Sequence, residues 1–181
     1  VLDARLAQGG DAASPWALDA ANRLAIAQRR GGDETAAETT YRSALQACSD
    51  RRDREKAPRA LEAAFNLARL LGRRLDLAIA AGAAPEPDAL AEVETLHRRA
   101  LAGRIALLGP ASEPAVRSQL AVANHLHRRA RKPGEAEAHY WSALNGAASL
   151  WGCAHPRTII AAAGLAAALQ DLGREAEAEE V

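Results

Sequence analysis

Prolines at 15, 58, 114 and 156 recur in register with the residues that follow them. Nine positions after each stand Leu24, Leu67, Ala123 and Leu165, and the next position holds Ala25, Ala68, Asn124 and Ala166. The interval from Pro15 to Ala44 equals that from Pro114 to Ala143. Ala44 to Pro58 and Ala100 to Pro114 are likewise equal, and Ala143 to Pro156 is shorter by one. A fixed period marks a repeat architecture, in which each unit buries its apolar face against its neighbours. The unit here is about 42 to 43 residues long, within the range of helical repeats. Pro58 to Ala100 is longer than the matching interval elsewhere, so the second unit carries an insertion of about 13 residues. One array is expected: the end of a preceding repeat at 1–14, unit one at 15–57, unit two at 58–113 with its insertion near 73–87, unit three at 114–155 and a partial unit four at 156–181. The chain begins with Val1 and contains no Met, which is expected of a piece of something longer.

Each unit reads as two helices. Proline suits the first helical turn, where its missing N–H has no partner to lose. A helix of about 16 residues follows, and then a turn at Gly31-Gly32, Pro133-Gly134 or Gly173. In the second helix Ala37, Val93, Ala136 and Ala178 share one position, each followed by Glu. Four positions later come Tyr41, His97 and Tyr140, and three further on Ala44, Ala100 and Ala143. The i, i+4, i+7 spacing makes one stripe, with small residues for close helix approach and an aromatic ring to fill the gap beside them. Only 3% of the chain is aromatic and its apolar content is largely Ala, which favours helix over strand. The insertion, around "RRLDLAIAAGAAPEP", is expected between the two helices of unit two, as extra helical turns rather than a strand, ended by Pro85 and Pro87.

Leu24-Ala25 with Gly32, Ala37, Tyr41 and Ala44-Leu45, and Leu165-Ala166 with Gly173 and Ala178, resemble the tetratricopeptide (TPR) repeat family. The repeat is longer than the family's usual length of about 34 residues. Its proline also comes later, as in "LWGCAHPRT" and "LLGPASEP". That longer unit is similar to the kinesin-light-chain subtype. The resemblance implies an all-α fold, a right-handed superhelical solenoid of antiparallel helix pairs, and a scaffold that binds protein rather than an enzyme. It also implies a concave face lined by the first helix of each unit.

Residues that look chemical have structural readings. "WGCAHP" at 151–156 pairs Cys153 with His155, but the equivalent places beside Pro58 and Pro114 have neither, so the stretch reads as a link between helices. Cys48 and Cys153 lie far apart in the chain and form no disulfide framework, which fits a reduced, cytoplasmic setting. His125 and His127 stand on nearly opposite sides of a helix and cannot chelate one ion together. No phosphate loop or metalloprotease motif occurs, so no catalytic residue, metal or cofactor is expected. Lys plus Arg equal Asp plus Glu at 23 each, which argues against nucleic acid or a membrane as partner. No apolar run reaches the roughly 18 residues of a membrane span.

Counting 4, 8, 11 and 15 from each proline gives the stripe expected to line the groove. It holds Asp19, Arg23, Ile26 and Arg30; Glu62, Asn66, Arg69 and Arg73; Ser118, Val122, His125 and Arg129; and Ile160, Gly164, Ala167 and Asp171. Five arginines in the first three units make the stripe locally basic although the chain is neutral. The candidate peptide-binding residues are Arg23, Arg30, Asn66, Arg69, Arg73, His125 and Arg129. Arginine's planar fork suits an acidic peptide or a C-terminal carboxylate, and Asn66 matches the place where peptide-clasping members of the family carry Asn. The alternatives are a structural segment that self-associates through exposed repeat ends, or the sensor portion of a larger regulatory protein. The expected core includes Leu24, Tyr41, Leu45, Leu67, Leu101, Tyr140, Leu144, Leu165 and Leu169.

Overall fold

The computed structural model describes residues 14–49 and 58–181, and among them are eight α-helices and no strand. We label these α1 (Pro15–Arg30), α2 (Glu34–Ser49), α3 (Pro58–Ala80), α4 (Pro87–Leu108), α5 (Glu113–Asn124), α6 (Pro133–Trp151), α7 (Pro156–Asp171) and α8 (Glu175–Glu179). A π-helical segment, His125–Arg129, continues α5. Proline opens α1, α3, α4, α6 and α7, the position where a residue without an N–H costs the helix nothing. The chain divides after Leu70 into two compact units.

In the first unit α2 packs back on α1 through a turn at Gly31–Asp33. Gly32 supplies the left-handed φ of 90° that the turn needs. Asp33 Oδ1 accepts from the Ala36 N–H at 2.9 Å and so caps α2. The core joins Leu18, Ala21, Ala44, Cys48 and Ala60. Cys48 is fully buried there as a small apolar residue.

In the second unit α4, α5 with its π segment, α6 and α7 share a core of Leu101, Val122, Ala123, Leu126, Ala136, Tyr140, Leu165, Ala168 and Leu169. Two close approaches depend on glycine. A Cβ at Gly164 on α7 would lie 2.4 Å from the Tyr140 ring, and one at Gly146 on α6 would lie 2.5 Å from Val116. Small residues let the helices close to this distance and the aromatic fills what remains.

"WGCAHP" is a helix-to-helix link. Gly152, at φ 82°, closes α6, the His155 ring accepts from the Arg157 N–H at 3.2 Å to cap α7, and Thr158 donates to the Gly152 carbonyl at 2.8 Å. His155 stacks on Trp151 at 4.9 Å, and the Arg157 guanidinium lies 5.0 Å from the Trp151 ring. A cation over an aromatic face is a favourable contact, and it braces the link. Cys153 is exposed in the link.

The residues expected to be an insertion, 73–87, fall on the end of α3, the turn after it and the first residue of α4. Helix α3 runs for 23 residues against 16 in α1 and α7, and an exposed turn with Gly82 at φ 84° precedes Pro87.

Seven of the nine expected core residues are buried: Tyr41, Leu45, Leu67, Leu101, Tyr140, Leu165 and Leu169. Leu144 is only half-buried, at the edge of the second unit's core. Leu24 is 42% exposed, contrary to expectation. Its counterparts Leu67, Ala123 and Leu165 are covered, but α1 is the first described helix, and residues 1–13, where a preceding repeat was expected to end, lie outside the described residues.

Candidate peptide-binding surface

In the first unit α1 presents Arg23 and Arg30 to solvent, and α3 presents Arg69 with Asn66 half-exposed beside it. Arg69 reaches back over the buried Phe65, its guanidinium 5.9 Å from the ring centroid. A cation over an aromatic face is a favourable contact, and Arg69 as a whole remains exposed. The two acids on the same stripe are both drawn onto Arg59: Asp19 Oδ1 lies 3.2 Å from its Nε and Glu62 Oε2 3.2 Å from its Nη1. Asn22 Nδ2 donates to the Arg59 carbonyl at 2.9 Å, so the start of α3 is tied to α1 at the same place.

Beneath this face lies Tyr41, 1% exposed. Burial raises its phenol pKa against the opposing pull of Arg29 and Arg69. Its hydroxyl has no hydrogen-bond partner among the described residues. The equivalent Tyr140 donates to Asn124 Oδ1 at 2.9 Å and stands 3.4 Å from His127 Nδ1, and burial pushes it up to about 12. Asn124 corresponds to Ala25 in unit one, which offers no acceptor.

In the second unit Arg73 is exposed on α3. The stripe of unit three is not: Ser118 and His125 are 0% exposed and Val122 1%. Arg104 of α4 donates to Ser118 Oγ at 2.8 Å, so α4 covers that side of α5. His125 packs against His97, with ring centroids 6.3 Å apart. Burial, with Arg129 next, lowers the His125 pKa to about 4, because the charged ring would lose its water. It is a neutral core residue and presents no ring nitrogen to solvent. His127 instead bonds the Asp171 carboxylate at 2.9 Å. Arg129 has a side chain 16% exposed and forks onto Asp76 with bonds of 2.8 and 2.6 Å.

Four candidates are exposed residues, Arg23, Arg30 and Arg69 in the first unit and Arg73 in the second, and Asn66 is half-exposed, while the Arg129 fork lies on Asp76 and His125 is enclosed. Arg59 is the member that sequence reasoning missed. One residue past the proline, it falls off the counted stripe, and only the fold brings Asp19 and Glu62 to it. No helix among the described residues is long and apolar enough to cross a membrane.

The sequence matches no protein-family profile. It matches no curated protein sequence. Among solved structures the chain is similar to a kinesin light chain-related protein of Podosopora anserina with nearly identical TPR-like repeats, at 21% identity and a TM-score of 0.70, over 98% of this chain and 77% of that one. It is similar also to BtubC (BKLC) from P. vanneervenii, at 21% identity and a TM-score of 0.64, over 91% of this chain and 60% of that one. At such identities the likeness concerns the fold. The chain has the all-helical fold of TPR-like repeat proteins of the kinesin-light-chain kind.

Proposed function

We propose that the chain is a protein-interaction module that takes an acidic peptide, or a segment ending in a carboxylate, on the basic face of its first helices. The observation that carries this reading is the capture of Asp19 and Glu62 by Arg59. The only two acids on the stripe of the first three units are partly neutralised from within, and Arg23, Arg30, Arg69 and Arg73 remain at the surface. Asn66, half-exposed on α3 in the first unit, has the donor and acceptor needed to hold a peptide backbone. The repeat fold agrees with the reading, because stacked helix pairs present extended surfaces to partners.

Competition is the test. Partners retained on the immobilised chain at low salt are challenged with hexaglutamate and with hexalysine. Release by hexaglutamate alone supports the reading. Equal release by both peptides, or by neither, overturns it.

A further inference from the structure

The added turns of α3 carry Asp76, and within the second unit its carboxylate accepts from Arg129 Nε at 2.8 Å and from Nη2 at 2.6 Å. This two-pronged arrangement is how a guanidinium grips any carboxylate. The two partners differ in how firmly they are held. Arg129 leaves the π segment with its side chain 16% exposed, and its guanidinium lies against Gly72, where a Cβ would stand 3.1 Å from Cζ. Gly72 and Asp76 stand one helical turn apart on the same face of α3, so glycine opens the place in which the fork rests and the next turn supplies the acid. Asp76 has a side chain 51% exposed, at the solvent end of the pair. An arginine fixed by its surroundings and an acid open to water make a site whose carboxylate can be exchanged.

We propose that Arg129 over Gly72 is a carboxylate-binding site which the chain caps with its own Asp76, and that an acidic ligand gains this site by displacing that cap. The inference rests on the acidic-peptide reading above and adds its regulation: the inserted turns hold an internal competitor. It also explains why a fork suited to a ligand lies among the described residues already filled.

The test measures fluorescence anisotropy of labelled hexaglutamate with the 181-residue chain at low salt, for the unaltered protein, Asp76→Asn, Arg129→Gln and the double substitution. Circular dichroism establishes that each variant is folded, and Asp76→Ser stands in should Asp76→Asn unfold. Removing the cap tightens binding by about three- to tenfold, the range expected when one partly exposed ion pair no longer competes. Arg129→Gln weakens binding in the uncapped background far more than in the capped one. Binding by the unaltered chain that Asp76→Asn leaves unchanged overturns this inference and leaves the acidic-peptide reading standing. A gain that survives Arg129→Gln also overturns it, since the added affinity then comes from lost acidic charge alone. Absence of binding by every variant overturns both.

Discussion

Gly164→Ala sets two opposing effects against each other at one atom. In a helix interior alanine is favoured over glycine by about 1 kcal/mol. At this position, however, the new methyl would stand 2.4 Å from Tyr140 Cε1, 2.8 Å from Cζ and 3.0 Å from Cδ1. To restore ordinary contact the ring must retreat by about 1 Å. It is not free to do so. The hydroxyl is held by Asn124 at 2.9 Å, and the ring meets His127 edge-on with centroids 5.9 Å apart. Overpacking of this kind costs about 1 to 3 kcal/mol, and loosening the phenol bond adds about 1 kcal/mol. The net expectation is a loss of about 2 kcal/mol, read as a lowered urea midpoint at constant slope. The decisive comparison is the same substitution in a Tyr140→Ala background, itself expected to cost about 3 kcal/mol or more. With the ring gone only the helix preference remains, and Gly164→Ala becomes stabilising. An equal destabilisation in both backgrounds would mean that the cost does not come from Tyr140.

His125 makes the fold acid-sensitive in a defined window. Its pKa is about 4 when folded and the ordinary 6.5 when unfolded, so below pH 6.5 the unfolded chain gains a proton that the folded chain refuses. Stability should fall by about 3 kcal/mol between pH 6.5 and pH 4. Arg129 and Lys132 reinforce that loss and Glu94 opposes it, and His125→Leu should flatten the limb in denaturant titrations at stepped pH. The lowered pKa values of Glu94 and Glu113 add their own losses as pH falls from the ordinary 4.5 toward their depressed folded values. Arg131 sits at φ 57°, five positions before Ala136, where Gly32 and Gly173 precede Ala37 and Ala178. Arg131→Gly should therefore stabilise the second unit by about 1 kcal/mol, measured as a raised urea midpoint.

The fold was legible because its determinants are local and periodic. Prolines at helix starts, glycines at left-handed turns and the Ala–Tyr–Ala stripe all follow from the chain's own spacing. His97 could be placed as a packing residue because it stands where Tyr41 and Tyr140 stand. The surface was less legible because exposure depends on neighbours distant in sequence. His125 occupies the same count from its proline as Arg69, yet α4 lies over that side of α5 and encloses it. Leu24 matches Leu67 in sequence but not in cover. The π segment leaves no mark in composition or period, and the left-handed Arg131 is marked only by its register with Gly32 and Gly173, since arginine is itself an ordinary helix residue. Asp76 and Arg129 are 53 residues apart, beyond the reach of any helical count.

If the exposed arginines of α3 carry recognition, a calorimetric titration of hexaglutamate reads their contribution. The unaltered chain and Arg69→Ala/Arg73→Ala are compared at low and at high salt. Each charge-assisted bond contributes about 1.5 to 3 kcal/mol, so the double substitution should weaken binding by about a hundredfold or more. Binding to the unaltered chain should also weaken as salt rises, because the surface is open to solvent. Equal affinity in the two proteins with no dependence on salt would move recognition away from α3.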